Sequence, residues 1–372
     1  MIVEFFLKWV RTAPVSERAA ASAALARAFC DGRLRFEERC AAEAALTFLL
    51  DDPSPRVRAA LADALSMSRN APPQVIAALA ADQPEIAGMV IARSPLLGDP
   101  DLVERVALGA PAIQKLVAAR PVVSIAVSAA LTELGAQEAV LALLENEGAE
   151  IAPLSFRRAG ERFGDCGVVR EVLLRDPRLP ADCRHALLMR LGDALRSAPL
   201  VAASIGALRA ETVVRDACAR AVPALIETVP SAEYPALVEH LRLQGQLTES
   251  LLLRAVAMGH VAFLAATLSA LTGRDASRVA ALLAGRQPGP VAALFRKAGL
   301  KPSLDGVLLC AVGLWQEVAS GKRVAGAQEV SYAMLQACGH GLPVELTALL
   351  KKIHLDALRE NARRHALTVM AA

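Results

Sequence analysis

Apolar residues recur along this chain at intervals of three and four, the spacing that places them on one face of an α-helix. Residues 37–50 and 56–65 show it most clearly, and the apolar positions of the second segment are Val57, Leu61, Ala64 and Leu65. Residues 51–55 interrupt the pattern, with Ser54 placed to cap the next helix and Pro55 suited to its first position. The pattern predicts a pair of short amphipathic helices.

The same arrangement returns along the first half of the chain. Further helices are predicted at 73–81, 85–93, from 101, 112–120, 124–134 and 138–144. Helix pairs that repeat at intervals of roughly 30–45 residues are typical of an α-solenoid. One pair cannot bury its apolar face alone, so neighbouring pairs stack. The sequence therefore predicts an all-α fold, a solenoid of antiparallel helix pairs.

The second half keeps helical segments but loses the regular interval. Candidate helices lie at 181–197, 212–228, 232–243, 249–258, 261–271, 277–283, 290–298, 304–319, 329–337 and 344–369. The helix signal is weakest at 197–210. We therefore predict helical repeats over residues 1–198 and an irregular helical region over 199–372.

The last predicted helix, from Val344, is long and basic. Its basic residues are Lys351, Lys352, Arg359, Arg363 and Arg364, and its apolar ones are Leu349, Ile353, Leu355, Leu358 and Leu367. Two interpretations fit this pattern. The helix is a cap with a solvated outer face, as terminal repeats need, or a basic amphipathic helix that docks on a partner or a membrane surface.

The stretch from Phe48 to Leu65 resembles a HEAT repeat, a helix pair joined by the turn Asp51-Asp-Pro-Ser-Pro55. The order of several segments resembles a bacterial, mainly proteobacterial, domain-of-unknown-function family of HEAT-like proteins over residues 40–320. These segments are Leu79-Ala-Ala-Asp82, Glu85-Ile86, Ser94-Pro-Leu-Leu97, Asp99-Pro-Asp-Leu102, Leu116-Val-Ala-Ala-Arg120, Leu131, Leu143-Leu-Glu-Asn146, Arg178-Leu-Pro180 and the leucine-rich stretch from Leu243 to Ala255. The resemblance implies a cytoplasmic helical-repeat protein and carries no established activity or catalytic residue.

Composition agrees with a helical protein and narrows its partners. Hydrophobic residues make up 54% and aromatic residues 3%, so the apolar residues are mostly Ala, Leu and Val. The net charge of +3 does not indicate a nucleic-acid-binding protein. Only seven of the 41 basic residues are lysines. The arginines reflect either a genome rich in Arg codons or an acceptor surface for carboxylates or phosphates.

Cysteines and the amino-terminal segment bear on localisation. The seven cysteines are irregularly spaced and odd in number, which favours free thiols in a reducing cytoplasm. Residues 1–10 are apolar but interrupted by Glu4 and Lys8, a poor match to a signal peptide. No run of 18 apolar residues predicts a transmembrane helix.

The sequence predicts no catalytic, cofactor or metal site, and hence no enzyme. Cys183 and His185 are potential metal ligands, but no partner pair is evident. Residues 338–341, Cys-Gly-His-Gly, indicate a helix end, and residues 320–323 lack the other elements of a phosphate-binding loop.

The expected function is that of a non-enzymatic scaffold or regulatory adaptor, with a protein partner of unknown identity bound on the concave solenoid surface. The oligomeric state is left open. Polar residues on the second helices of the early pairs are the candidate partner-binding positions: Arg56, Arg58, Asp63, Glu85, Arg93 and Arg120. Solvated charges or ion pairs between repeats are the alternative for each of them.

Two other functions are kept open. A HEAT-like nucleic-acid-binding protein of the base-excision type needs basic residues and stacking aromatics along one groove. The densest internal basic group is Arg157, Arg158, Arg162 and Arg170, while the chain has only two Trp and two Tyr residues. A membrane-surface regulator would act through the terminal helix.

Overall fold

The computed structural model of the chain describes residues 2–285, 287–337 and 343–371. Over these residues the chain is helical, and its β contact is an isolated bridge between Val123 and Ala149. The predicted all-α class is therefore confirmed. No helix among the described residues is long and apolar enough to cross a membrane.

The chain divides into two compact units, Met1–Leu179 and Pro180–Ala372. The helices of the first unit are α1 (Ile2–Val10), α2 (Val15–Cys30), α3 (Phe36–Leu49), α4 (Pro55–Leu65), α5 (Pro73–Leu79), α6 (Pro84–Arg93), α7 (Asp99–Leu108), α8 (Pro111–Ala118), α9 (Ile125–Leu134), α10 (Gln137–Leu144), α11 (Pro153–Phe163) and α12 (Gly167–Arg175). Five of them begin with proline, which has the backbone angle of a first helical residue and lacks an N–H that would be left unbonded there. Helices α1, α2, α11 and α12 lie where no helix was predicted.

Helices of the first unit pack on their second neighbours along the chain. The even-numbered helices form a continuous series, in which each of α2, α4, α6, α8 and α10 contacts the next member up to α12. Helices α7, α9 and α11 form a second series. The approach of α6 to α8 is close, because a Cβ on Gly88 would lie 2.9 Å from Leu116 Cδ1. Leu61, Leu65 and Ile86 are fully buried in the core that these helices share.

Arginines and aspartates connect the turns of successive helices. Arg18 on α2 donates to both carboxylate oxygens of Asp52, at 2.8 and 3.0 Å, and Asp52 lies in the turn after α3. Arg58 on α4 donates to the backbone carbonyl of Asp52 at 2.6 Å and to both carboxylate oxygens of Asp82 after α5. The hydrogen bond from Arg58 lowers the pKa of Asp82. Bidentate pairs of this kind fix geometry as well as charge.

Two further arginines bond to the carbonyl groups at helix ends. Arg120 is buried and donates to the carbonyls of Ile91 and Ser94 at the end of α6. Arg162 on α11 donates to the carbonyls of Thr132 and Gly135 at the end of α9, at 2.7 and 3.0 Å. The last four carbonyls of a helix have no partner within it, and a guanidinium has five N–H groups to offer.

The second unit has its own core. Its helices are α13 (Ala181–Ser197), α14 (Pro199–Ile205), α15 (Ala207–Thr228), α16 (Tyr234–Leu243), α17 (Glu249–Ala257), α18 (Val261–Thr272), α19 (Ala276–Ala284), α20 (Pro288–Lys297), α21 (Asp305–Ala319), α22 (Ala327–Gln336) and α23 (Val344–Ala371), with 3-10 turns at Ser231–Glu233 and Pro302–Leu304. Tyr234 packs edge-on against Phe263 and donates to the carbonyl of Ile226 at 3.0 Å. The inner face of α23 is buried at Leu350, Ile353 and Ala357.

The boundary predicted at 198/199 falls between α13 and α14, inside the second unit. Helix α13 packs against α15 and α16, which explains why the compact unit begins before it. Cysteines 30, 40, 166, 183, 218 and 310 are free thiols. Cys338 and His340 lie outside the described residues.

We expect Arg120→Met to lower the free energy of unfolding by about 2–4 kcal/mol, because the carbonyls of Ile91 and Ser94 lose their donor in a buried place. Urea denaturation followed by circular dichroism measures the change. Arg56→Met is the control, since Arg56 is exposed, and its effect should stay within about 0.5 kcal/mol. Equal effects of the two substitutions would contradict the structural role of Arg120.

Candidate functional site

The exposed side of the even-numbered helices in the first unit gathers four of the six predicted partner-binding residues. Arg56 and Asp63 lie seven residues apart on α4, and Glu85 and Arg93 lie eight residues apart on α6. These spacings place each pair on one side of its helix. All four residues are exposed. We call the exposed side of α4, α6 and α8 the even-helix face.

An ion pair joins the two helices on this face. Arg93 Nη1 lies 3.1 Å from Asp63 Oδ1, and both side chains stay about half exposed or more. An exposed pair of this kind stabilises a fold by only about 0–1 kcal/mol. Its oxygen and nitrogen atoms therefore remain available to a partner at little cost in stability.

Apolar side chains lie between the charges. Met89, four residues from both Glu85 and Arg93, is partly exposed on the same side of α6, and Met67 is 75% exposed just after α4. Lys115 is exposed on α8. The even-helix face is thus apolar in part and carries charges of both signs. Methionine adapts its shape to a partner better than branched residues do, so such a face suits protein contact.

The structure gives the other two candidate residues internal contacts. Arg58 is partly buried in its pair with Asp82, and Arg120 is buried against the end of α6. Burial lowers the pKa of the Arg120 guanidinium, and the nearby charge of Asp99 opposes that shift. The candidate surface therefore consists of Arg56, Asp63, Glu85 and Arg93, whose role in binding stays a prediction.

The densest internal basic group is largely engaged in contacts of its own. Arg158 pairs with Glu133 at 2.6 Å and with Glu161 at 3.3 Å. Arg170 donates to the carbonyl of Gly164 at 3.0 Å, and Arg162 donates to the end of α9. A phosphate would have to compete with these contacts.

Two histidines in the second unit, 55 positions apart, form a part-buried pair that the sequence analysis did not identify. His185 Nδ1 on α13 lies 3.1 Å from His240 Nε2 on α16. His185 is fully buried, and burial, followed by the charge interaction with His240, lowers its pKa to about 4, while a hydrogen bond with the Gln246 side chain opposes that shift. One ring nitrogen must donate and the other accept, so at neutral pH the pair holds a single N–H···N hydrogen bond.

The histidine pair does not extend into a larger set of metal ligands. The described part of the chain contains no group of three or more His, Cys, Asp or Glu side chains that could hold a metal ion. Cys183, the predicted potential ligand beside His185, is buried on α13. Residues two apart on a helix point in different directions. The pair is thus a packing and hydrogen-bonding feature of the second unit.

Comparison with known proteins gives one match. The model of a family described as uncharacterised proteins conserved in bacteria (DUF2336) matches residues 86–341. The matched range begins in α6 and ends beyond α22, so it includes parts of both units. The resemblance to a bacterial family without assigned function is therefore confirmed. No curated protein and no solved structure matches the chain.

The histidine pair makes stability depend on pH. An unfolded histidine takes up a proton below about pH 6.5, whereas folded His185 resists protonation until about pH 4. The unfolded state therefore binds more protons in this window, and the fold loses stability as the pH falls. Between pH 7 and pH 5 we expect the difference in the pKa of His185 to lower the free energy of unfolding by about 2 kcal/mol.

Urea denaturation of the wild type and of His185→Gln at pH 8, 7, 6 and 5 measures the contribution of His185 to the pH dependence of stability. The variant should lose less stability than the wild type below pH 7, and the difference between the two proteins should be constant from pH 7 to 8. His260, whose pKa burial also lowers, contributes equally to both proteins. Parallel pH profiles down to pH 5 would disprove the assignment.

Proposed function

Since the chain belongs to the bacterial family DUF2336, whose description assigns no activity, we propose from the structure that it is a non-enzymatic scaffold. Its first unit is a HEAT-like solenoid that binds a protein partner on the even-helix face. The packing of helices on their second neighbours supports the solenoid, because each helix pair then stacks on the next. The ion pairs Arg18–Asp52 and Arg58–Asp82, which recur in successive turns, support the solenoid further.

The even-helix face carries the proposal. Charges of both signs at Arg56, Asp63, Glu85 and Arg93 surround the partly exposed Met89. Apolar contact supplies affinity at a protein interface, while flanking charges select the partner and its orientation. On a solenoid these positions would lie on the side formed by the second helix of each pair, which suits an elongated partner.

The structure supports the two alternative functions, nucleic-acid binding and membrane-surface binding, less than it supports protein binding. A phosphate backbone would meet arginines 158, 162 and 170 already bonded within the first unit. A membrane surface would need the apolar residues of α23, but these are divided, with Leu350 and Ile353 buried at 0% and 2% exposure and only Leu355 and Leu367 well exposed, at 54% and 66%, among its described leucine side chains. A cytoplasmic location remains part of the proposal, supported by the irregular cysteine spacing.

Site-directed photo-crosslinking in the native bacterium tests the proposal. A photoreactive amino acid replaces Met89 on the even-helix face or, as the comparison position, the exposed Glu104 on α7. We expect a discrete protein adduct from position 89 and not from position 104. The same adduct from both positions would argue against a defined face.

Charge reversal then tests the named residues. Arg56→Glu combined with Arg93→Glu should reduce the adduct yield about tenfold, since exposed charge pairs contribute up to about 1 kcal/mol each. The control, Arg33→Glu combined with Arg209→Glu, makes the same change in net charge at exposed positions elsewhere. Equal loss in both double variants would show a general charge effect and refute the role of this face.

A further inference from the structure

A groove in the second unit lies between α15, α17 and α23. Its volume is about 620 Å³. One wall is a stripe of α15 with Asp216, Arg220 and Glu227, and the other is a stripe of α23 with Lys352, Asp356, Arg359, Glu360 and Arg363. Pro223 and Met258, which are partly exposed, add apolar surface to the lining. The groove is independent of the even-helix face, which belongs to the other unit.

Positive charge is in excess among the groove side chains that have no ion-pair partner. The side chains of Arg254, Lys352, Arg359 and Arg363 form no ion pair or hydrogen bond with a described residue. The acidic lining residues are Asp216, which lies 3.9 Å from Arg215, Glu227, which interacts with His260, Glu360, which has a contact of its own, and Asp356. Four cationic groups around one groove, without internal partners, favour an occupant that brings carboxylates.

An apolar depression adjoins the groove. It has a volume of about 350 Å³ and shares Pro223 and Arg254 with the groove. Met189 on α13, Leu251 on α17 and Leu349 on α23 line it. A helix that lies along the boundary between the two would therefore have the charged groove on one side and the apolar recess on the other. That arrangement matches the charged and apolar faces of an amphipathic helix, whose apolar residues anchor it.

We propose that the groove and the adjoining depression bind an acidic amphipathic α-helix of a partner protein. Glutamate or aspartate side chains of the partner helix pair with Lys352, Arg359 and Arg363, and one of its large apolar side chains fills the depression beside Met189. The arginines suit this role because a guanidinium grips a carboxylate with two parallel hydrogen bonds. Helix α23 thus has two functions, since its inner face closes the core while one outer stripe receives the partner.

A protein helix fits the groove better than a phosphate polymer or a lipid surface does. Asp356 and Glu227 line the same groove and would repel a chain of phosphates, whereas a helix can present basic or neutral residues to them. A flat bilayer would not enter a groove between helices, and an anionic one would be repelled by the same two carboxylates. The charge pattern therefore selects a partner with carboxylates at helical intervals.

The test measures binding of a fluorescein-labelled peptide by the full-length protein in fluorescence anisotropy. The peptide has about 18 residues, long enough to form a helix, with leucines along one face and glutamates along both flanks. We expect saturable binding that weakens as salt is raised. The variant Lys352→Glu/Arg359→Glu/Arg363→Glu should raise the Kd about tenfold or more, since it reverses three charges that contact the peptide.

Lys351→Glu is the matched control, because Lys351 is exposed on the same helix but does not line the groove. It should leave the Kd within about twofold of the wild type. Met189→Glu tests the apolar depression independently and should also weaken binding about tenfold. Thermal melts of every variant establish that the fold is kept.

Three results would overturn the proposal: no saturable binding by the wild type, equal binding by the wild type and the triple variant, or equal weakening by Lys351→Glu. Duplex DNA and vesicles of phosphatidylserine and phosphatidylcholine are run as competitors. If either competitor displaces the peptide from the wild type and does not bind the triple variant, the groove is a phosphate-binding site and the proposed binding of a helix is wrong.

Discussion

The first unit depends on satisfying the carbonyl groups at the ends of short helices. A helix of seven to eleven residues leaves its last four carbonyls without an internal partner, so a large share of its backbone needs donors from elsewhere. Arginines of neighbouring layers supply these donors at the ends of α6 and α9. In the turns after α3 and α5, arginines also hold Asp52 and Asp82. Apolar side chains such as Leu61, Leu65 and Ile86 fill the core between the same helices.

This constraint separates the arginines into two groups with different consequences. Arg120 and Arg162 face backbone carbonyls and so fix one helix layer on the next. Arg56 and Arg93 lie on the exposed side of their helices, where charge has little influence on stability. Neither of the two explanations that composition alone offered for the abundant arginine, codon bias or an acceptor surface, includes the internal role.

The two units offer surfaces of different chemistry. The even-helix face has charges of both signs around methionine, which favours a partner that is also mixed in charge. The groove of the second unit has an excess of unpaired basic groups beside an apolar recess. If both proposed surfaces bind, the protein would hold two different ligands, which is the property that the proposed scaffold requires. The family match over residues 86–341 includes Arg93 of the even-helix face and the α15 wall of the groove, whereas Arg56, Asp63, Glu85 and the α23 wall lie outside it.

The sequence by itself determined most of the helices, though not α1, α2, α11, α12 or α14, because three-to-four spacing of apolar residues and proline at first turns are local signals. It indicated the long terminal helix and the exposed positions of Arg56, Asp63, Glu85 and Arg93. Only the tertiary structure decided that Arg58 and Arg120 turn inward, since their acceptors belong to other layers. It also decided that His185 meets His240 and that one stripe of α23 completes a groove with α15. Such contacts join residues far apart in the chain, and periodicity along one helix cannot specify which side of it a distant helix will cover.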